Sequence, residues 1–268
     1  MKHLNAALVL LSAAAVGLTF YARQQVHAST PAAFRSPVIV ELFTSEGCSS
    51  CPPADQFLAK LEAEQPIENA EVIALEEHVD YWNNLGWTDP FSSDSATIRQ
   101  YAYTGEIGNG NAYTPQMVVD GQEEFVGSRE RQARGVIERA ANRKKAEVNV
   151  NAGQSAPDGT QIFEIKVGTL PDSATGDKPE VWMAITETGL HSDVKRGENA
   201  GEELHHASIV RKLRKIGAAS AVGEPAYASE EKLKLDRTWK RENVRIVIFV
   251  QEQKSKRILG AGSAAYGS

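Results

Sequence analysis

Residues 38–55 read VIVELFTSEGCSSCPPAD, and this stretch decides what the rest of the chain must build around it. Its opening run, residues 38–43, is nearly all apolar and rich in β-branched side chains, as expected of a strand covered on both faces. Residues 44–47 have the composition of a turn. Pro52 and Pro53 fit the first turn of a helix, where a missing N–H is no loss. The stretch therefore predicts a buried strand, a short turn and a helix over residues 52–64.

Cys48 and Cys51 are the only cysteines in the 268-residue chain, and the pattern places both at the N-terminus of this helix. Free N–H groups and the positive end of the helix dipole stabilise a thiolate there. The pKa of a cysteine in such a pair can fall from about 8.5 to roughly 3.5–7.5. Because a thiolate attacks disulfides and a nearby second thiol resolves the product, we expect Cys48 to be the exposed, attacking sulfur and Cys51 the resolving one.

Two other uses of the cysteine pair stay open. One is a purely structural disulfide, although a bridge that closes so short a loop contributes little chain-entropy stabilisation. The other is half of a metal site, although zinc usually takes four Cys or His ligands and the chain has no second cysteine pair. A redox pair is the favoured interpretation, and we expect no metal and no cofactor.

Several motifs resemble known families. The strand, turn, CxxC pair and helix, together with Thr114-Pro115 before a later strand, resemble the thioredoxin superfamily. The runs ELFTSEGCSSCPPAD, DYWN and GWTDPF resemble, more specifically, the DUF1223 family of secreted bacterial proteins; they occupy residues 41–55, 80–83 and 86–91. The resemblance implies that Pro115 is cis and faces the cysteines, and that Thr114 and Pro115 dock the backbone of a substrate.

Glu41 completes the candidate site. The superfamily resemblance implies that this acid assists proton transfer to the resolving cysteine. Burial disfavours the charged form of a carboxylate and raises its pKa, so an acid in a buried strand suggests a functional role of this kind. The alternative is a carboxylate that caps or pairs locally. The candidate catalytic residues are thus Cys48, Cys51, Thr114, Pro115 and Glu41.

Charge and the N-terminal segment bear on partners and location. A net charge of −6 without a basic stripe argues against nucleic-acid binding. Residues 1–28 have the features of a signal peptide: Lys2 precedes an apolar run, and Val26-His27-Ala28 suits cleavage after Ala28. Cleavage would leave no integral membrane segment and a periplasmic or secreted protein, where disulfides persist. An uncleaved segment would instead anchor the protein.

The order of the predicted elements indicates two domains. Residues 29–145 give the order β-α-β-α-β-β-α, with a parallel crossover and a hairpin at Asp120-Gly121. Residues 146–268 contain about seven short strands with polar linkers, among them one over residues 204–216, which is typical of a β-sandwich. We therefore predict an α/β thioredoxin-like domain followed by a mainly-β, sandwich-like C-terminal domain.

Other residues have weaker signals. The aromatic residues within 80–91 either form a rim that contacts a protein substrate or pin a long loop to the core, and packing is favoured. His78 either tunes a thiolate or, as we favour, bonds the backbone at a strand end. His205 and His206 are adjacent on a predicted strand and point to opposite faces, which argues against a shared metal. Residues 197–201 predict a structured loop of no assigned chemistry.

These observations favour a secreted thiol–disulfide oxidoreductase. It would act on protein or small-molecule thiols and disulfides, with an unidentified redox partner. The alternative is a non-catalytic envelope binding or assembly protein, in which Cys48 and Cys51 form a permanent bridge. The pKa of Cys48 and the reduction potential of the pair distinguish the two hypotheses.

Overall fold

The computed structural model describes residues 35–108, 110–171 and 176–267, which belong to one compact unit. The predicted leader, residues 1–28, lies outside the described residues. The helices are α1 (Pro52–Glu64), α2 (Asp94–Thr104) and α3 (Glu130–Ala141), and a 3-10 turn spans Arg241–Asn243. The strands are β1 (Ser36–Thr44), β2 (Ala70–His78), β3 (Gln116–Val119), β4 (Glu123–Val126), β5 (Val148–Ser155), β6 (Gln161–Val167), β7 (Pro179–Glu187), β8 (Leu190–Asp193), β9 (Glu203–His206), β10 (Ile209–Ala218), β11 (Tyr227–Leu233), β12 (Val244–Glu252) and β13 (Ile258–Ala265). No helix in the described ranges has the length and apolarity needed to cross a membrane.

The first half of the chain forms its elements in the predicted order. β1 and β2 are parallel on either side of the α1 crossover, and β3 and β4 form an antiparallel hairpin. Its turn residues Asp120 and Gly121 both have positive φ, at 48° and 65°, which suits a tight hairpin turn. Glycine is required at 121 for a second reason, because a Cβ there would lie 1.9 Å from the carbonyl oxygen of Lys256.

The predicted division into a thioredoxin-like α/β domain and a separate β-sandwich-like domain is wrong. One mixed sheet of eight strands runs in the order β13-β12-β7-β10-β2-β1-β3-β4, so strands from both halves of the chain share it. The junction is β10, which pairs antiparallel with β7 and parallel with β2. The remaining strands form a three-stranded sheet, β11-β6-β5, and the β8-β9 hairpin.

The burial of individual strands explains this correction. β12 reads VRIVIFVQE and is buried along nearly its whole length, and a strand of this kind needs cover on both faces. β6 alternates strictly between buried and exposed residues, as a strand with one solvated face does. The sequence interpretation assigned both strands to one sandwich, whereas only β6 has the sandwich pattern.

The two faces of the large sheet have different covers. Successive residues of β1 point to opposite faces: Val40 packs with α1 and α3, whereas Ile39 packs with Phe249 of β12. The β12 side chains that point away from Phe249 pack against the three-stranded sheet. On the side of Ile39, Tyr103 of α2 packs against Phe43 of β1. We call these sides the α1 face and the α2 face.

The predicted strand over residues 204–216 is in fact two strands. β9 ends at His206 and β10 begins at Ile209. Ser208 between them has φ of 52°, which breaks the extended backbone. This break turns the chain beside β2 and brings His206 close to the end of that strand.

Candidate functional site

Cys48 and Cys51 form a disulfide in the turn between β1 and α1. Cys51 is the N-cap residue of α1, with Pro52 at the first helical position. The N–H of Cys51 donates to the carbonyl oxygen of Cys48 (3.1 Å), and the N–H of Cys48 donates to that of Ser45 (3.1 Å). The predicted helix start is therefore confirmed, and the disulfide sits where a helix N-terminus would stabilise a thiolate after reduction.

The expected exposure of Cys48 is wrong. Its surface is 1% exposed and that of Cys51 is 0% exposed. Residues 197–201, which we call the cover loop, lie over the turn. The amide of Asn199 donates to the carbonyl oxygens of Glu46 (2.8 Å) and Cys48 (3.1 Å). The N–H and hydroxyl of Ser49 donate to the carboxylate of Glu198, at 3.0 and 2.7 Å.

Two tryptophans within residues 80–91 connect the turn to its neighbours. Trp82 Nε1 donates to the hydroxyl of Thr114 (2.9 Å), and Trp87 Nε1 donates to the carboxylate of Glu46 (2.7 Å). Both indole rings are half-buried. Their contacts agree with the packing interpretation of this aromatic segment, and contact with a substrate stays a prediction.

Thr114 and Pro115 lie close to the cysteine turn. Their peptide bond is cis, as the resemblance implies. A Cβ on Gly127 would lie 3.1 Å from the Cβ of Ala54 in α1 and 3.5 Å from the Cβ of Pro115. Pro115 is therefore beside the first turn of α1. Their role in docking a substrate stays a prediction.

Glu41 points to the α2 face, away from α1. Its carboxylate accepts hydrogen bonds from Arg99 Nε and from the hydroxyl of Tyr103, both in α2. Arg99 also lies 3.2 Å from the carboxylate of Glu77. The large sheet separates Glu41 from the cysteine-bearing helix, so the structure does not bring this candidate to the site. Its contacts are with two distant residues of α2, so neither the proton-transfer role nor local pairing describes them.

Asp55 is a buried acid that does lie near the cysteines. It follows Cys51 by one helical turn in α1 and is 3% exposed. The hydroxyl of Thr44 donates to its Oδ1 at 2.6 Å. Burial, with a contribution from the negative charge of Glu76, raises the pKa of Asp55 to about 7. This carboxyl group can therefore take up or release a proton near neutral pH, a role that the sequence interpretation had given to Glu41.

Five buried side chains form a second polar group beside the turn, which we call the His cluster: Glu46, Glu76, His78, Asp89 and His206. His78 Nδ1 is 2.7 Å from Asp89 Oδ2, and His78 Nε2 is 3.2 Å from Glu76 Oε1. His206 Nδ1 is 2.7 Å from the same Glu76 oxygen, and His206 Nε2 is 3.1 Å from Glu46 Oε1. Each ring therefore lies between two carboxylates.

The electrostatics of the His cluster follow from these contacts. Burial alone would lower the pKa of both histidines. For His78, the negative charges and hydrogen bonds of Asp89 and Glu76 outweigh the effect of burial and hold its pKa well above 6.5. Hydrogen bonds to Glu46 and Glu76 raise the pKa of His206 to about 9. Burial would raise the pKa of Glu76 and Asp89, but the histidines keep both below their usual values.

The sequence interpretation missed this cluster. The favoured backbone bond for His78 is wrong, because its ring contacts carboxylates. His205 and His206 do point to opposite faces, since the His205 side chain is 72% exposed and that of His206 is 0% exposed. One usable signal was the spacing of Glu76 and His78, which places both side chains on one face of a strand end. That His206 joins them depends on the long-range β2–β10 pairing, which no local pattern reveals.

Comparison with known proteins identifies the family of this chain. A family model described as "Protein of unknown function (DUF1223)" matches residues 39–251. The chain belongs to the DUF1223 family. The matched span contains the cysteine turn, the His cluster and the cover loop, so all three lie within the family's own region. A search of curated proteins finds no match.

Two solved structures resemble this DUF1223 protein over most of its length. A structural-genomics target from Agrobacterium tumefaciens is 28% identical, with a TM-score of 0.63, covering 87% of this chain and 96% of that chain. HBP35 of Porphyromonas gingivalis is 17% identical, with a TM-score of 0.63, covering 87% of this chain and 76% of that chain. The second likeness concerns the fold alone.

Proposed function

We propose that this DUF1223 protein is a thiol–disulfide oxidoreductase whose Cys48–Cys51 pair cycles between disulfide and dithiol. One observation carries the proposal: the disulfide caps α1, and the buried carboxyl group of Asp55, with a pKa of about 7, follows one turn later on the same helix. The helix terminus favours the thiolate, and an acid with this pKa is suited to proton transfer near neutral pH.

The exchange steps assign a role to each group. In the reducing direction the Cys48 thiolate attacks a substrate disulfide, which forms a mixed disulfide and releases one substrate thiolate. Asp55 accepts the proton of the Cys51 thiol, and the Cys51 thiolate attacks Cys48 Sγ. The protein disulfide forms, the second substrate thiolate leaves, and two electrons have passed to the substrate. The oxidising direction is the reverse, and the Ser50 hydroxyl, 3.3 Å from Cys48 Sγ, can donate to the thiolate.

Access and location are part of the proposal. Because both sulfurs are buried, exchange requires the cover loop to move, after which the backbone at Thr114 and Pro115 would dock a protein or small-molecule thiol substrate. The hydrogen bonds between Ser49 and Glu198 lie at the surface of the protein, where water can replace them as the loop opens. The signal-peptide features of residues 1–28 support export to the periplasm or beyond, where such a disulfide persists.

The first experiment is a redox equilibrium of the purified chain against glutathione buffers, followed by the mass shift after thiol alkylation. We expect a potential between roughly −120 and −270 mV, the range of known exchange proteins. Cys48→Ser should abolish turnover of a disulfide substrate, whereas Cys51→Ser should trap a mixed disulfide through Cys48. Gln56→Ala, on the exposed face of α1, retains both sulfurs and is the control. Unchanged turnover in Cys48→Ser sinks the proposal.

The burial of both sulfurs favours a second candidate, a non-catalytic envelope binding or assembly protein with a permanent disulfide. A potential below about −300 mV would mark a structural bridge and select this alternative. The Asp55→Asn variant separates the two further. It should slow resolution of the mixed disulfide if Asp55 accepts the Cys51 proton, and it has no redox effect if the bridge never opens.

A further inference from the structure

We propose that the His cluster binds one divalent transition-metal ion of the zinc class, with Glu76, His78 and His206 as its ligands. The proposal goes beyond thiol exchange, because it uses side chains that have no part in that reaction. It rests on three separate features: the donor geometry, the hydrogen-bond partners of the donor side chains, and the chemical type of the donor atoms.

The donor atoms converge on one point. His78 Nε2, His206 Nδ1 and a Glu76 oxygen all lie within 4.8 Å of one another. Donor atoms around tetrahedral zinc, with bonds of about 2.0–2.1 Å, are about 3.3 Å apart. The 3.2 Å between Glu76 Oε1 and His78 Nε2 already fits this geometry. The 2.7 Å to His206 Nδ1 must lengthen by about half an ångström as an ion replaces the proton between these atoms.

The hydrogen-bond partners of the donor side chains resemble those that surround metal ligands. Metal-bound histidines almost always donate their outer N–H to a carboxylate, a carbonyl oxygen or water, which fixes the tautomer and orients the ring. Here the outer nitrogen of His78 faces Asp89 (2.7 Å) and that of His206 faces Glu46 (3.1 Å). The second oxygen of Glu76 accepts from the N–H of Ala207 (2.8 Å).

The donor set suits a transition-metal ion. Three carboxylates, those of Glu46, Glu76 and Asp89, surround the rings of His78 and His206. The centroids of the two rings are 4.7 Å apart. Imidazole with carboxylate is the donor set of zinc-class ions, whereas Ca²⁺ and Mg²⁺ take oxygen donors.

Metal binding would connect distant parts of the chain. Glu76 and His78 end β2, and His206 ends β9, so the ion would fasten the β8-β9 hairpin to the large sheet. The three side chains are 0% exposed, so the ion would be shielded from bulk solvent. An ion that binds only the folded chain also stabilises it in proportion to RT ln(1 + [ion]/Kd).

Native mass spectrometry of the oxidised full chain, purified with and without added Zn²⁺, tests the proposal. We expect one added mass equal to a zinc ion less two protons, and a higher Tm in Zn²⁺. His206→Gln should weaken zinc binding at least 100-fold. The matched control is His205→Gln, which removes the exposed neighbouring imidazole and should bind zinc like the wild type. Equal losses in both variants, or no zinc on the wild-type chain, would overturn the proposal.

Two further measurements keep the test decisive. If His206→Gln does not fold, the visible d–d spectrum of the Co²⁺-loaded wild type reports the ligands, and nitrogen and oxygen ligation without a thiolate charge-transfer band is expected. The Cys48→Ser/Cys51→Ser double variant should retain its zinc, whereas loss of zinc there would overturn the proposal by assigning binding to the cysteine sulfurs. Because the glutathione equilibrium needs no metal, either proposal can fail without the other.

Discussion

Glu76 and Glu77 are neighbours on β2, yet they belong to two different buried polar groups on opposite faces of the sheet. Glu76 lies in the His cluster on the α1 face. Glu77 lies on the α2 face with Arg99, Glu41 and Tyr103, a group that we call the Arg cluster. Both groups combine acids with basic side chains that are almost completely buried. They differ in which base they hold and in their distance from the cysteine turn.

The base decides what each cluster can do. A guanidinium stays charged at every pH that a protein tolerates, and the ring packing around Arg99, by Tyr103, Trp182 and Phe249, fixes its position. The Arg cluster is therefore a permanent ionic link between α2 and the sheet. Imidazoles exchange protons and ligate metals, and Glu46 joins their cluster directly to the turn that bears Cys48. A buried acid on β1 or β2 thus has a chemical or a structural role according to the face it occupies.

The largest expected effect comes from breaking the Arg cluster. Arg99→Met leaves the carboxylates of Glu41 and Glu77 buried without their cation, and we expect the free energy of unfolding at pH 7 to fall by about 3–5 kcal/mol. Urea denaturation measures this change, and Glu41→Gln in the same chain should restore part of it. The glutathione equilibrium of Cys48 and Cys51 should not move. A shift in that equilibrium would show that the two faces communicate.

An intermediate effect is expected from Asp55 as a function of pH. Its pKa is about 7 in the folded protein against an ordinary 3.8, so the folded chain holds this proton more tightly than the unfolded chain does. Its contribution to stability is therefore complete below pH 3.8 and is lost as the pH rises to 7. Asp55→Asn should match the wild type near pH 4 and exceed its stability by about 2–4 kcal/mol at pH 8. Urea unfolding at several pH values measures the difference in the free energy of unfolding between variant and wild type. A difference that stays constant with pH would contradict the prediction.

The smallest effect concerns the cover loop. Asn199→Ala removes two hydrogen bonds to the cysteine turn, and a net loss of about 1 kcal/mol corresponds to reduction by dithiothreitol that is roughly five-fold faster. Lys195→Ala is the control, because this exposed side chain pairs only with Asp193 among the described contacts. Identical rates in the two variants would mean that the sulfurs are reached by a route other than opening of this loop.

The sequence predicted local features well and long-range ones poorly. The β1–turn–α1 unit, the parallel β2 and the hairpin at Asp120-Gly121 follow from patterns within a few residues, and they are present. The joining of β10 to β2 depends on contacts between residues 130 or more positions apart in the chain, as between Glu76 and His206. No periodicity encodes that contact. The missed sheet and the missed His cluster have this one physical origin.

Glu41 shows that a motif does not by itself reveal which face of a sheet a strand residue occupies. Its position two residues before Phe43 on a buried strand is visible in the sequence, and so is its charge. Which face it occupies relative to α1 depends on the alternation of side chains along β1. Val40 and Leu42 meet α1, and Glu41 therefore cannot. Asp55 lies on α1 itself, so in the exchange that we propose it does not meet that obstacle.

The position of the cover loop in the chain also determines when the cysteines become covered. Cys48 and Cys51 are three residues apart, but the amide of Asn199 that covers them comes 151 residues after Cys48. In a chain that emerges from its N-terminus, the two thiols meet any oxidant before their cover exists. In the exchange that we propose, the first oxidation would precede synthesis of the cover loop, and every later exchange would require that loop to open. A newly made molecule and a mature one would thus respond to the same redox buffer at different rates.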